Sequence, residues 1–331
     1  MEIIPGVHQL KVLEDSRNPS RYLNTYLLLS GKECVLIDTG WNTPDALASL
    51  EKQLQTAGVQ LGDITTIIVT HIHPDHYSLV PVIKRKSRAD LVFHHLGRAI
   101  LQSTLVNVAE HLQTARQLLL EHGVPEEKSK PLAEAFPSAF QLEDTVLPDK
   151  VILGGEALAF GSFELEPIWT PGHSIEHVCL YDRAKGLVFS GDHLLPVPAF
   201  TPMLAFDRWS GPDPVRVYVG SLRHIGHLPV KLVLPGHGSV FADLQPKIEG
   251  TIRFVEEKAG LLLSAMADAP QTAYWIARQP RWQFQGRDWE RLDPLHQYVA
   301  IQETIAYLEF QRLDGRVHRF VRDQVYHYVR V

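Results

Sequence analysis

Apolar and β-branched residues come in short blocks through the first part of the chain. Ile3 to Leu13, Tyr22 to Leu29 and Glu33 to Ile37 read as successive strands, punctuated by Pro5-Gly6, Asn18-Pro19 and Ser30-Gly31. Asp38-Thr39-Gly40 closes the third. Thr43-Pro44 offers an N-cap followed by proline at the first helical position, so a helix is expected to about Ala57, with Gly58 stopping it. Ile64 to Val69 reads as a strand. Asp75 to about Lys86 reads as a helix with Asp75 as its N-cap, and Ala89 to Phe93 as another strand. The period then changes. From Ala99 to Glu121, Ile100, Leu101, Leu105, Val108, Leu112, Leu118 and Leu119 fall at helical spacing, and Lys130 to Phe140 is a second helical stretch. This is read as a helical insertion over about 97–150, of the kind that serves as a lid or pocket wall.

Strands resume at Val151, with hairpins expected around Gly161-Ser162 and between His177–Tyr181 and Gly186–Ser190. A helix from Val215 to Ile225 and a short strand, Lys231 to Leu234, follow. Beyond about Asp243 the pattern turns helical (Ile248–Met266, Thr272–Arg278, Leu295–Gln311) and ends in a hairpin from Gly315 to Val331 carrying Arg319, Arg322 and Arg330. The expectation is a mixed α/β main domain over 1–245 and a C-terminal helical domain with a terminal hairpin over 246–331.

The 331 residues are 45% hydrophobic and 21% charged, ordinary for a globular protein. A net charge of −6 argues against a polyanion partner held by bulk charge. The two cysteines, Cys34 and Cys179, lie in apolar strand-like runs and read as small buried hydrophobes. No signal core and no membrane-length apolar run is visible, so a cytoplasmic, reduced protein without a membrane partner is expected.

The chemistry concentrates at strand ends. Thr70-His71-Ile72-His73-Pro74-Asp75-His76 places three imidazoles and a carboxylate directly after an apolar run. Imidazole and carboxylate suit zinc, iron and manganese. One such histidine would be a surface residue; four potential ligands at this spacing point to metal. The same event recurs at Gly172-His173, Gly191-Asp192 and Gly236-His237, where glycine lets the backbone turn sharply beside a ligand-type residue.

This set resembles the signature of the metallo-β-lactamase-fold hydrolases: His-x-His-x-Asp-His, then a distant Gly-His, a Gly-Asp and a final Gly-His, with Val35 to Gly40 matching the family's early Asp-Thr-Gly strand end. The resemblance covers roughly residues 1 to 245. It implies an αββα sandwich and two divalent metal ions, zinc by default, with iron or manganese accepting the same ligands. By the resemblance, His71, His73 and His173 bind the first ion, Asp75, His76 and His237 the second, and Asp192 bridges them. A shared hydroxide then attacks a carbonyl or phosphoryl centre, and Asp75 also shuttles a proton. Asp38 orients a ligand by hydrogen bonds, or is only the carboxylate of a strand-end turn. Tyr77-Ser78 departs from the small residue and glycine of many members and bears on pocket width. No glutamate precedes Asp75 as it does in the oxygen-reducing di-iron branch, so the chain looks like the hydrolytic branch.

His193, next to Asp192, is the best substrate-contact candidate among the other histidines; Tyr77 and Phe206 are also named. His94, His95, His111 and His122 border or lie in the insertion and either line the pocket or, as is more common for such residues, are surface or half-buried polar groups. The C-terminal layout resembles the winged-helix appendix of some family members. Trp282, Phe284 and Trp289 among Arg281 and Arg287 suit base stacking or an interface, and the acidic charge favours the interface, with a homodimer as partner and nucleic acid the lesser choice. Three functions follow. The first is hydrolysis of a small ester, thioester or lactone, as in glyoxalase II and its relatives, favoured by the apolar loop holding Phe200, Met203, Leu204, Phe206 and Trp209. The second is a metal-dependent endoribonuclease using the tail. The third, ranked last because the ligand set is complete, is a non-catalytic module.

Overall fold

The computed structural model describes the chain apart from residues 16, 19, 107, 141–144, 200–212 and 285, and apart from the side chains of 104–106 and 136–140. The apolar loop from Phe200 to Trp209, Phe206 included, lies outside the described residues.

Two β-sheets face each other. The first runs in chain order: β1 (Glu2–Ile4), β2 (Val7–Leu13), β3 (Tyr22–Ser30), β4 (Glu33–Ile37), β5 (Thr66–Ile68), β6 (Asp90–His94) and β7 (Lys150–Ile152). β1 to β4 form an antiparallel meander, and β4 to β7 are parallel. The parallel steps need crossovers, which α1 (Pro44–Thr56), α3 (Val80–Lys86) and the insertion supply. The second sheet has the order β12 (Leu232–Pro235), β11 (Leu187–Gly191), β10 (Val178–Asp182), β9 (Phe163–Trp169), β8 (Leu158–Phe160).

Strand alternation sorts the side chains into layers. On β4, Val35 and Ile37 point between the sheets, where they meet Val178, Leu180 and Phe189. Cys34 and Leu36 point outward onto Leu50 and Leu54 of α1 and Ile83 of α3. On β10, Cys179 and Tyr181 point outward to α7 (Pro214–Gly226) and the C-terminal helices. The order of layers is therefore α, β, β, α. The two cysteines are free, and each packs in a different outer layer.

The insertion holds α4 (His95–Val106), α5 (Val108–Glu121) and α6 (Glu126–Phe140), where a single helix was expected from Ala99 to Glu121. The tail holds α8 (Leu244–Ala265), α9 (Ala273–Ala277), α10 (Pro294–Leu313) and the hairpin β13 (Val317–Arg322) and β14 (Val325–Arg330). Insertion, tail and the outer face of the second sheet share one hydrophobic cluster, from Leu119 and Leu132 through Val188 and Val233 to Leu262, Ile301 and Tyr328. Trp282, Phe284 and Trp289 lie in that cluster with at most 7% of their surface exposed, so they offer neither a base-stacking platform nor an interface.

One local expectation is corrected. Asp75 is not an N-cap: Pro74 opens a four-residue helix, α2 (Pro74–Tyr77), with His73 at the cap and Asp75 in the first turn. The helix does not run on to Lys86 because Pro81 has no N–H to give the carbonyl of Tyr77, and α3 starts afresh at Val80.

Candidate metal centre

All the ligand-type residues gather at one edge of the sandwich. β5 ends at Ile68, and the chain turns through Thr70 against the end of β4. There Asp38 adopts a φ of 59°, unusual for a residue other than glycine. Its carboxylate accepts the Thr70 N–H at 2.8 Å and the Thr70 hydroxyl at 2.9 Å, and accepts from His76 Nδ1 at 2.8 Å. Those bonds hold the strained backbone in place and leave His76 Nε2 facing the interior of the site. Thr70 Oγ1, its proton given to Asp38, accepts from His71 Nδ1 at 3.1 Å. His237 Nδ1 donates to the carbonyl of Tyr22 at 3.2 Å. In each of these rings one nitrogen is tied to the frame and Nε2 is left for the centre, the arrangement common among metal-bound histidines.

Two groups result. His73 Nδ1 lies 2.9 Å from both His71 Nε2 and His173 Nε2. Asp75, His76 and His237 form the other, with His237 Nε2 at 3.1 Å and His76 Nε2 at 3.7 Å from Asp75 Oδ2. Asp192 stands between them. Its Oδ2 is 3.8 Å from His173 Nε2 and 3.5 Å from His237 Nε2, and its Oδ1 is 3.4 Å from His76 Nε2. The ligand-type atoms of each group lie close enough together to surround one cation.

Burial and neighbouring charge compete across the site. It drives His71 well below the ordinary imidazole range, helped by His76, His73 and His173, and takes His73 down to about 3 with help from His173. Those rings therefore keep their lone pairs. Burial opposes ionisation of Asp75, but His76 and His237 outweigh it and hold the carboxyl at about 2. For His76, burial works against charge, while Asp38, Asp75 and Asp192 lift the ring to about 10. One group is thus a neutral nitrogen-donor set and the other a carboxylate-rich set that attracts positive charge.

A family model described as the Metallo-beta-lactamase superfamily matches residues 20–237. The chain belongs to that superfamily. It is 27% identical over 254 residues to the probable metallo-hydrolase YqjP of Bacillus subtilis (strain 168), covering 76% of this chain and 78% of that one. It is 24% identical over 248 residues to the atrochrysone carboxyl ACP thioesterase of Aspergillus fumigatus, covering 73% of this chain and 59% of the relative. The chain thus spans little more than half of that fungal protein. Among solved structures, the metallo-beta-lactamase family protein TTHA1429 of Thermus thermophilus aligns over 99% of this chain and 100% of its own, with a TM-score of 0.79 and 27% identity. The similarity to metallo-hydrolases and a thioesterase identifies this metallo-β-lactamase superfamily member as a hydrolase.

The superfamily binds divalent metals, and the residues here fit that role. His76 Nε2 and Asp192 Oδ1 are buried 3.4 Å apart without a well-formed hydrogen bond, an arrangement that a cation between them would satisfy. Three imidazole nitrogens converging at 2.9 Å likewise require a cation or a proton among them. Gly236 keeps the space open: a Cβ there would lie 2.6 Å from Asp192 Oδ1 and 2.9 Å from His76 Cε1.

Some residues at the centre had no signal in the motif. Glu176, 1% exposed, accepts the N–H of Ile72 at 2.9 Å, between His71 and His73. Burial raises its pKa, while bonds from Ile72, its own backbone and Ser174 work the other way. His177 Nε2 accepts the Asp192 N–H at 3.2 Å, and its Nδ1 pairs with Thr170 Oγ1 at 2.9 Å. Acidic residues and histidines a few positions beyond a Gly-His turn were the only hint in the sequence. His193 is fully buried, its ring edge-on to Tyr218 at 4.9 Å. Tyr77 is buried too, and its hydroxyl donates to the Val146 carbonyl and accepts the Val146 N–H. Tyr77 thus anchors the return from the insertion instead of facing a substrate. His94 and His122, read as surface or half-buried groups, are buried.

Proposed function

We propose that this superfamily member is a dinuclear metal-dependent hydrolase of a small ester, thioester or lactone. His71, His73 and His173 would hold one ion and Asp75, His76 and His237 the other, with Asp192 placed between the two groups. The observation that carries the reading is the convergence of these seven side chains, with Asp192 grouped with His71 and His76 and lying 3.8 Å from His173 Nε2 and 3.5 Å from His237 Nε2. Zinc suits the donor set first, with iron or manganese accepting the same ligands. The similarity to a protein named as an acyl-carrier thioesterase favours the thioester among the three bonds.

Bound divalent ions supply Lewis acidity and lower the pKa of water from about 15.7 toward about 7. The chain's own residues do the rest. Hydrolysis joins the water oxygen to the acyl carbon, breaks the carbon–sulfur bond and yields a carboxylic acid and a thiol. Asp75, its carboxylate 3.1 Å from His237 Nε2, relays the proton that water gives up to the departing thiolate. Asp38 and Thr70 keep His76 and His71 turned inward throughout.

Initial rates on acyl thioesters of coenzyme A and glutathione, with lactones and aryl esters alongside, test this. Metal-stripped protein is expected to be inactive and zinc-reloaded protein active. Asp192→Asn is expected to lose at least a hundredfold in rate while keeping its circular dichroism. A reloaded protein inert on every acyl substrate would overturn the reading.

A further inference from the structure

The two sheets meet strand against strand along the edge that bears the ligands. β3 touches the end of β12 through Asn24, whose N–H donates to Gly236 O at 2.7 Å. The end of β5 touches the start of β10, where Val178 N–H donates to Thr70 O at 3.0 Å. The next layer along is β6 against β9, where the rings of His94 and Trp169 stack with centroids 5.8 Å apart and planes 16° from parallel. β6 lies one strand spacing, about 4.8 Å, from the β5 strand that leads into His71, and β9 itself leads into His173.

Trp169 is 45% exposed, yet it is held firmly. Its indole N–H donates at 2.7 Å to the carbonyl of Ile175, in the loop that carries His173. One face lies on the buried ring of His94, which is itself fixed by Nε2 donating to Leu153 O at 3.2 Å. Gly154 admits the tryptophan backbone, since a Cβ there would come within 3.3 Å of both Trp169 N and Cβ. Leu153, next in chain to that glycine, is 63% exposed. An immobilised, half-exposed indole four residues before His173, with an exposed leucine next to the glycine that packs on its backbone, is an unfavourable surface on its own. It is also a surface that an apolar or planar group can cover with little loss of side-chain freedom.

We propose that Trp169, with Leu153, is the platform that receives the apolar part of the substrate's acyl group, so that the favoured small substrate carries an aromatic acyl group, such as benzoyl, in place of an acetyl one. This rests on the hydrolase reading above. The indole also braces the His173 loop, so the test must separate platform from brace.

The experiment compares kcat/KM for acetyl, hexanoyl and benzoyl coenzyme A in zinc-loaded wild type, Trp169→Phe and Trp169→Ala. The wild type is expected to prefer benzoyl to acetyl by at least tenfold. Trp169→Ala is expected to lose tenfold or more on benzoyl and much less on acetyl. Trp169→Phe, which keeps a ring but not the N–H, is expected to retain the preference. Equal losses on all three substrates in both variants would mean that the indole only braces the loop, and no preference in the wild type would equally overturn the platform. Calorimetric binding of the non-hydrolysable thioether S-benzyl coenzyme A separates the two readings. Tenfold weaker binding by Trp169→Ala supports the platform even if no thioester is turned over, and equal binding by both proteins overturns it.

Discussion

At the scale of single residues, the centre depends on groups that never meet the reacting atoms. Glu176 sits in the loop of one ligand and bonds to the peptide between two others, 104 positions away. Removing its carboxylate leaves the Ile72 N–H buried with no acceptor, which costs roughly 1–3 kcal/mol. Glu176→Ala is therefore expected to lower unfolding stability by that amount and to weaken zinc binding about tenfold in a chelator competition. Glu176→Gln, which keeps an acceptor oxygen, is expected to stay within threefold of the wild type. Equal behaviour of the two variants would show that the bond to Ile72 does not position the ligands. The ligand-type residues were legible because their chemistry is printed in their identity and their place at strand ends. Glu176, His177 and Trp169 were not, because what each does depends on a partner that a different strand delivers.

At the scale of elements, the Thr43 cap was readable, whereas the Asp75 cap and the break at Pro81 were not. Thr43 caps α1 through the Ala46 N–H, as the Thr-Pro pair implied, and Asp293 caps α10 through the His296 N–H. The break between α2 and α3 follows from the missing N–H of Pro81, a signal present in the sequence but outweighed by a helical pattern spanning it. His122, just past the end of α5, ties three elements together. Its carbonyl accepts the Tyr274 N–H in the first turn of α9 at 3.1 Å, and its Nδ1 pairs with Tyr328 Oη on β14 at 3.3 Å. Burial, then Arg319, push this ring down to about 3. An unfolded chain protonates it near 6.5, so the unfolded state takes up a proton that the folded state refuses between those values. The contribution is therefore intact above pH 6.5 and is lost as pH falls toward 3. Denaturant titrations of wild type and His122→Gln should diverge by about 2 kcal/mol between pH 7 and pH 5, the variant falling less steeply. Parallel curves would assign the acid sensitivity elsewhere.

At the scale of the whole molecule, the sequence divided the chain near residue 245, and the αββα order of layers followed from the strand pattern and the family resemblance together. What neither conveyed is that the tail supplies much of the second sheet's outer cover. Val188, Val233 and Leu222 share their cluster with Leu262, Ile301 and Trp282. Packing of this kind depends on which faces meet in three dimensions, and helical periodicity alone does not name the partner. A fragment ending at residue 245 is expected to aggregate or to melt without cooperativity, as read by scanning calorimetry. A soluble fragment with a sharp transition would make the tail a separately folding addition.

The positions of Asp75 and His237 carry one more consequence. They face each other at 3.1 Å, although 162 positions separate them in the chain. Contacts between such remote segments form late, since the long intervening loop must be ordered first. A cation therefore has no complete berth on a nascent or half-folded chain. The full donor set exists only once both sheets have closed, so that complete loading would sort finished molecules from unfinished ones.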